Sequence, residues 1–321
     1  MDFTSDQDQY FKVFFPYAMA QRHKILTNNL RFVHYTSAET AVSILTGRRM
    51  WMRRTSVMND YMEFEYGKSC VAEAIKSDLW QRLRTFFDGI RPGLLGEVVQ
   101  RLEGWIPIYK MDTFLTCISE HLPEEDNLGR LSMWRAYGGT TGVALVLNNG
   151  PFLGAADVGG PYTSPVAYAD KPRFLDLFRD VVESIEAHEA YVKDLGHERV
   201  FDAAFLMLRN ALLCTKHPGF HEEREWRVIY THHPGDPVSL LLELAIVTTR
   251  GVPQQIFKII LQDLPATGLI GIEPAALLDH VIIGPSQYPF PMYDAFVRLL
   301  SDMGVPDPWK KVVVSDIPLR Q

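Results

Sequence analysis

The chain has 321 residues and a mass of 36.6 kDa, with 47% hydrophobic, 12% aromatic and 22% charged residues. A domain of this length buries about 75% of its unfolded surface, so the composition excludes a disordered protein. A net charge of -7, from 32 Lys+Arg against 39 Asp+Glu, argues against coating nucleic acid by charge alone. A mean hydropathy of -0.06, with no apolar run near about twenty residues, excludes a membrane-spanning helix. The stretch from Met1 to Lys24 is acidic before it is apolar and lacks the basic region and cleavage site of a signal peptide. Cys70, Cys117 and Cys214 are too few and too dispersed for a disulfide framework. They make no C-x-x-C and point to a reducing cytoplasm.

In chain order, residues 1–29 form an N-terminal extension. Arg31 to Tyr35 reads as a strand, after which Thr36 or Ser37 caps a helix through Val42, Ile44 and Leu45 that Gly47 ends. Met50 to Val57 reads as extended, and Asn59-Asp60 as a turn or cap into a helix from Tyr61 to Ala74. Lys76 to Trp105 is helical with a break at Arg91-Pro92-Gly93. Thr113 to Ile118 is a strand, His121 to Asn127 a polar loop, and Leu131 to Tyr137 a short helix or turn. The unbroken apolar run Gly142 to Leu147 predicts a central strand. Pro165 to Ala169 extends, and Phe174 to Cys214 gives two helices hinged near Gly196. Glu225 to Tyr230, Ile256 to Leu261 and His280 to Ile283 are strands, Tyr293 to Met303 a helix, and Lys311 to Val314 a last strand. The pattern predicts an α+β fold with a mixed or antiparallel sheet. It forms a single domain over 1–321, with helical insertions over roughly 68–110 and 171–215 beside the sheet.

Three clusters carry the chemistry. His34-Tyr35-Thr36 ends a strand ahead of a capped helix, where an imidazole and hydroxyls can hold a sugar or carbonyl. The plainer reading is a strand histidine satisfying one backbone group. Around Trp51 to Asp60, Arg53, Arg54, Ser56 and Asn59 offer planar forks and hydroxyls to phosphate oxygens. The competing reading pairs the arginines with Asp60, Glu63 or Glu65. Between Lys216 and Arg227, Glu223 and Glu225 stand two apart, hence on one face of a strand, as paired acids suited to stabilising a cation. The competing reading is a hairpin with Trp226 in the core and both acids in solvent. Ser132, Trp134, Arg135 and Tyr137 add a stacking wall, although core packing alone also explains Trp134. Cys117, among apolar residues, reads as a buried and inert thiol. Phosphate-loop, dinucleotide-fingerprint, nucleophile-elbow and zincin motifs are absent.

The order of these pieces resembles a bacterial family known as domain of unknown function 2971. The resemblance rests on His34-Tyr35-Thr36, Ser56 with Asn59-Asp60, Cys117-Ile118-Ser119-Glu120, Leu131 to Tyr137, Glu223 to Arg227 and Ile283-Gly284-Pro285, and spans about residues 30–315. More distantly, the layout is similar to that of the ADP-ribosyltransferases, including their nucleic-acid-modifying toxin branch. Here His34-Tyr35-Thr36, Ile44-Leu45-x-Gly47 and the Glu223-Arg224-Glu225 pattern carry the likeness. No Ser-Thr-Ser stands on the middle strand, so Ser132 or Ser119 would take its place.

That second resemblance implies a split-sheet core and NAD as co-substrate, with no metal. Glu225 would stabilise the oxocarbenium-like ribose, and His34 and Thr36, with Tyr35 beside them, would hold ribose and carboxamide. Arg53 or Arg54 would meet the pyrophosphate, with Ser56, Asn59 and Ser132 lining the dinucleotide. Tyr61, Trp134 or Tyr137 would cover nicotinamide, and Glu223, Arg224 and Arg135 would face the acceptor. It implies a toxin or defence effector acting on RNA, DNA or protein, with an antitoxin protein as partner and no membrane. Two other readings fit the same residues: a non-catalytic module binding nucleotide or nucleic acid, and a metal-independent RNA-cleaving toxin.

Overall fold

The computed structural model describes residues 5–57, 62–154, 160–233, 235, 237–249 and 251–318. Helices α1 (Ser5–Phe14) and α2 (Pro16–Thr27) precede strand β1 (Arg31–Ser37) and helix α3 (Ala38–Gly47). Ser37 starts α3 by accepting from the Thr40 amide at 3.2 Å. The helix ends at Gly47 as expected, but the glycine does not take the left-handed position. The helix includes Gly47, and Arg48 takes the left-handed terminal position at φ 50°, its amide bonding the Ile44 carbonyl. A non-glycine residue there costs about 1–2 kcal/mol, which the turn into β2 (Arg49–Arg54) imposes.

Helices α4 (Met62–Ile75), α5 (Asp78–Asp88) and α6 (Leu94–Met111) lead to β3 (Thr113–His121). The short helix α7 (Leu131–Met133) passes into a π-helical turn, Trp134–Gly138, before β4 (Thr141–Leu147), the short helix α8 (Gly150–Leu153), β5 (Tyr162–Pro165) and β6 (Ala167–Tyr168). Helices α9 (Lys171–Ala187), α10 (Glu189–Asp194) and α11 (Gly196–Cys214) precede β7 (Thr215–Lys216) and β8 (Glu225–Thr231). Strands β9 (Leu242–Thr249) and β10 (Val252–Ile260) form a hairpin. A short α12 (Pro274–Leu277), then β11 (Leu278–Ser286), α13 (Pro289–Asp302) and β12 (Val312–Val314), complete the order.

The strands run β12-β11-β4-β1-β3-β2-β10-β9, antiparallel except for β11 with β12, while β8 pairs with β3 and β5. Strand β4 lies between β1 and β11, the central place its apolar run predicts. The fold is α+β with a mixed sheet. A parallel pair, β6 with β7, stands apart from it.

Two cores flank the sheet. One joins Phe32, Phe114, Trp226 and Phe257 with Ile44 and Leu45 of α3 and Phe296 of α13. The other packs Leu115 and Ile229 against α4, α5, α6, α9 and α11. Helices α4 and α11 touch backbone to backbone, since a Cβ on Gly67 would lie 2.4 Å from the Leu212 carbonyl oxygen. Among the described residues no helix is long and apolar enough to cross a membrane.

Strand β3 is the hub that positions the site. Its full length from Thr113 to Ser119 pairs with β8. Its other edge is shared: β2 takes Phe114 and Leu115, and β1 takes Ser119 to His121. Between them, over Thr116 to Ile118, β1 and β2 part.

Candidate active site where two strands part

From His34 onward β1 pairs with β4 but no longer with β3, and His34 Nδ1 lies 2.9 Å from the Cys117 carbonyl oxygen. The side chain thus supplies a donor where the neighbouring strand no longer does. Burial lowers the His34 pKa despite that bond, so the ring is neutral near pH 7. With Nδ1 donating, Nε2 keeps the lone pair.

On the other edge of β3, the Cys117 thiol donates to Glu225 Oε1 at 2.9 Å. His34 and Glu225, 191 positions apart in sequence, therefore meet through one residue. Burial, then the Glu225 charge, holds the Cys117 thiol well above its usual pKa, so it stays protonated and unreactive.

Glu225 is the first residue of β8 and only 5% exposed. It does not face solvent as the hairpin reading expects, because β8 has β3 on one edge, β5 on the other and helices over this face. Arg227 Nε meets its Oε1 at 2.8 Å and Lys216 Nζ its Oε2 at 3.2 Å, while its amide donates to Tyr168 Oη at 2.8 Å. Lys216 also reaches Glu223 at 2.7 Å and Glu63 at 2.5 Å, and Arg227 pairs with Glu63. Three carboxylates thus surround two buried cations, leaving one net negative charge.

The two acids titrate apart. Burial alone would raise the Glu225 carboxyl, but Arg227 and Lys216 outweigh it and bring its pKa down to about 2. Glu223 is raised, by burial and by the Glu225 charge, despite Lys216. Glu223 is the less buried of the two acids, and the half-exposed Tyr137 donates to it at 3.1 Å.

Arg130 fixes this loop. Its guanidinium spans Glu125 Oε1 and Oε2 at 2.9 and 3.0 Å and donates to the carbonyls of Glu120, Glu222 and Glu223 at 2.7, 2.7 and 3.2 Å. Arg224 adopts φ 43° and pairs with Glu125 at 3.3 Å, which turns it away from the acids on either side.

The structure joins Glu223, Glu225 and Tyr137 by side-chain bonds, whereas His34 reaches only the Cys117 main chain and lies on the Phe32 face of β1, opposite to the face of Glu225. Arg53 stands opposite Leu115, on the face that carries Cys117. Thr36 is half-buried on the His34 face of β1, and Ser56 half-buried in the turn after β2.

Other expected site residues lie elsewhere. Tyr35 points to the opposite face of β1, packs against Trp134 at 4.8 Å and accepts from the Arg130 amide. Trp134 is 1% exposed and donates to the Leu128 carbonyl, so it is a core residue that presents no ring face to nicotinamide. Arg54 is committed to Gln255 at 3.1 Å and Asp112 at 3.5 Å, over the Phe114 ring. Arg135 is exposed, and Ser132 turns a buried hydroxyl into α7 with no hydrogen-bond partner. Asn59 and Tyr61 lie outside the described residues.

Sequence reasoning missed Lys216, Glu63, Arg130 and Tyr168 as members of the site. Lys216 stood within a cluster already marked by its polar density. No local pattern signals the bonds of Glu63 to Arg227, of Arg130 to Glu222 and Glu223, or of Tyr168 to Glu225, whose partners are 57 to 164 positions apart.

Residues 133–228 match the model of a family described as "Protein of unknown function (DUF2971)". The resemblance to that family read from the sequence holds over this segment, which carries Tyr137, Lys216, Glu223, Glu225 and Arg227 but neither His34 nor Cys117. No curated protein and no solved structure matches the chain.

Proposed function

We propose that the protein is an NAD-dependent ADP-ribosyltransferase whose acids Glu223 and Glu225 divide the work. The supporting observation is that the carboxylates of Glu223 and Glu225 share Lys216 beside the parting of β1 and β2, with pKa values displaced in opposite directions. Two titratable groups driven apart by their surroundings are the usual basis for separate acid and base roles.

In this reading the C1′–N bond of NAD breaks and its electron pair leaves with neutral nicotinamide. Positive charge then develops on the ribose. Glu225, ionised at any physiological pH, stabilises that charge at the 2′-hydroxyl, as a carboxylate does in glycoside cleavage. Glu223, with its raised pKa, takes the proton of the acceptor as the acceptor bonds to C1′. His34 Nε2 accepts from a ribose hydroxyl or the carboxamide, and Arg53 meets the pyrophosphate. The acceptor is a nucleic acid or a protein side chain, in a toxin or defence setting.

The test is incubation with NAD labelled in its adenylate half and total cell lysate, followed by separation of protein from nucleic acid. Label is expected in one fraction with wild type and is lost by at least about 100-fold in Glu225→Gln, the scale of removing one transition-state electrostatic contact. Wild-type transfer by Glu225→Gln overturns the catalytic assignment.

One observation favours a second reading. Both oxygens of Glu225 are already bonded within the protein, to Cys117, Arg227 and Lys216. A non-catalytic nucleotide-binding module would need nothing more of this cluster than rigidity. It predicts no free nicotinamide from any NAD mixture, and no change in ligand affinity for Glu225→Gln.

A further inference from the structure

A second cluster of ionisable groups stands at the other end of β1 and β3, and the proposed function makes no use of it. His121 ends β3, Asp126 follows the turn after it, and His280 lies in β11. Each offers a potential ligand atom, and these atoms all lie within 4.8 Å of one another. The His121 side chain is fully buried and that of His280 is 9% exposed, while Asp126, at 36%, opens the group to solvent. The two imidazole rings are 5.9 Å apart between centroids.

Proton arithmetic makes the cluster unusual. His280 Nδ1 lies 2.7 Å from Asp279 Oδ2, and its Nε2 lies 3.2 Å from the Asp126 carbonyl oxygen. Both ring nitrogens therefore face oxygen acceptors, yet a neutral imidazole carries one N–H. His121 Nε2 faces Asp126 Oδ1 at 2.8 Å, and its buried Nδ1 has no hydrogen-bond partner. Arg31 bridges the two carboxylates from outside, to Asp126 Oδ1 at 2.5 Å and Asp279 Oδ2 at 2.6 Å. Lys311 Nζ stands 4.0 Å from Asp279 Oδ1 as a second cation, so the carboxylate left facing the His121 imidazole is that of Asp126.

We propose that His121, Asp126 and His280 bind one divalent transition-metal cation of the zinc class. Two imidazoles and one carboxylate are a donor set that zinc accepts, with a fourth position left to water. Asp279 accepts a hydrogen bond from the His280 Nδ1–H, which leaves the lone pair on Nε2, the carboxylate–histidine arrangement that orients metal-bound imidazoles. Both of the Asp126 bonds described go to Oδ1, which leaves Oδ2 for the ion. Metal–ligand bonds of about 2.0–2.1 Å put tetrahedral ligand atoms about 3.3 Å apart, so the ligand atoms must draw together by at most about 1.5 Å from the outer limit of their present spread. The ion ties β3 to β11 across β1 and β4, and so holds the sheet at the end remote from the parting of β1 and β2.

The experiment uses the full chain, stripped with chelator, equilibrated with zinc chloride, passed through gel filtration and assayed for zinc by mass spectrometry. About one zinc per chain is expected, with a higher thermal midpoint than the stripped protein, because a ligand that binds only the native state stabilises it. Cobalt substitution is expected to give the visible absorption of a low-coordinate nitrogen and oxygen site. The conservative variants Asp126→Asn and His280→Gln, checked for wild-type circular dichroism, are expected to lower occupancy at least about tenfold. Wild-type protein that holds no zinc after gel filtration overturns the proposal, and so does full occupancy in both variants. The cluster would then be a hydrogen-bonded network alone. The readout is independent of NAD, so its failure leaves the transferase reading untouched.

Discussion

Replacing Lys216 with methionine removes the cation shared by Glu63, Glu223 and Glu225 while keeping most of the side-chain volume. The wild-type cluster sets three carboxylates against Lys216 and Arg227, so the variant faces the same three acids with Arg227 alone. Lys216 is 4% exposed, and Glu225 is 5% exposed, so solvent does little to screen the loss. Breaking a buried pair by removing one partner costs about 3–5 kcal/mol. For a chain of this size each kcal/mol lowers the thermal midpoint by about 2 °C, giving an expected fall of about 6–10 °C at pH 7. The assay is thermal unfolding followed by circular dichroism, with the double variant Lys216→Met/Glu223→Gln alongside. Removing one excess acid is expected to restore about 1–3 kcal/mol of the loss, since contacting charges couple on that scale. A fall of less than about 2 °C in the single variant, or simple additivity in the double, would refute the claim that these charges form one interdependent unit.

Three further outcomes follow from the same geometry. Glu225 has a folded pKa of about 2 against a reference of 4.5, so its contribution of about 3 kcal/mol is present above pH 4.5 and lost as pH falls towards 2. Glu223 is raised and contributes with the opposite sign, its stabilisation fading as pH rises through its folded value. Urea midpoints measured from pH 6 to pH 2 are expected to fall less steeply in Glu225→Gln, and identical slopes would count against the depressed acid. Gly142→Ala is expected to cost about 1–3 kcal/mol in urea unfolding, because its Cβ would lie 2.6 Å from the Gly138 Cα in backbone that has no rotamer to change. Gly104→Ala, inside α6 with nothing within 4 Å of its Cβ, is expected to gain about 0.4–1 kcal/mol, which distinguishes crowding from a general effect of the added methyl.

What the sequence made legible was local. The run Gly142 to Leu147 announced a buried strand, and the helix expected from Phe174 starts a turn earlier, at Lys171, where Asp170 caps it by accepting from the Arg173 amide. The hinge near Gly196 is there, at φ 77°, with a further break at His188. Strand β9 was not expected, because Leu240 to Val247 is apolar without a two-residue alternation, and a hairpin to β10 decides its conformation. Helices α1 and α2 were likewise unread in the N-terminal extension. For the site, polar density marked the stretch from Lys216 to Arg227 but misjudged its exposure, since whether a strand is central depends on partners such as β3 and β5 that lie far away in the chain. Trp134 reads in sequence as a ligand-stacking aromatic and Tyr35 as a hydrogen-bonding group beside His34, and the two pack against each other instead. A residue type specifies what chemistry is available, and only the pairing of strands specifies which side of the sheet receives it.

The alternation along β8 places two incompatible environments one residue apart. Trp226 stacks edge-on to Phe32 at 5.2 Å in an oily interior, while Glu225 and Arg227 share ions on the reverse. Because strand side chains alternate strictly, a slip of one position would drive a carboxylate and a guanidinium into the aromatic layer and push an indole among charges. With neighbours on both edges, the strand has no free margin on which to absorb an added or deleted residue. Length variation among natural versions of this chain should therefore fall in the connections and never within Glu225–Thr231, leaving this strand the fixed frame to which any alignment of distant copies can be anchored.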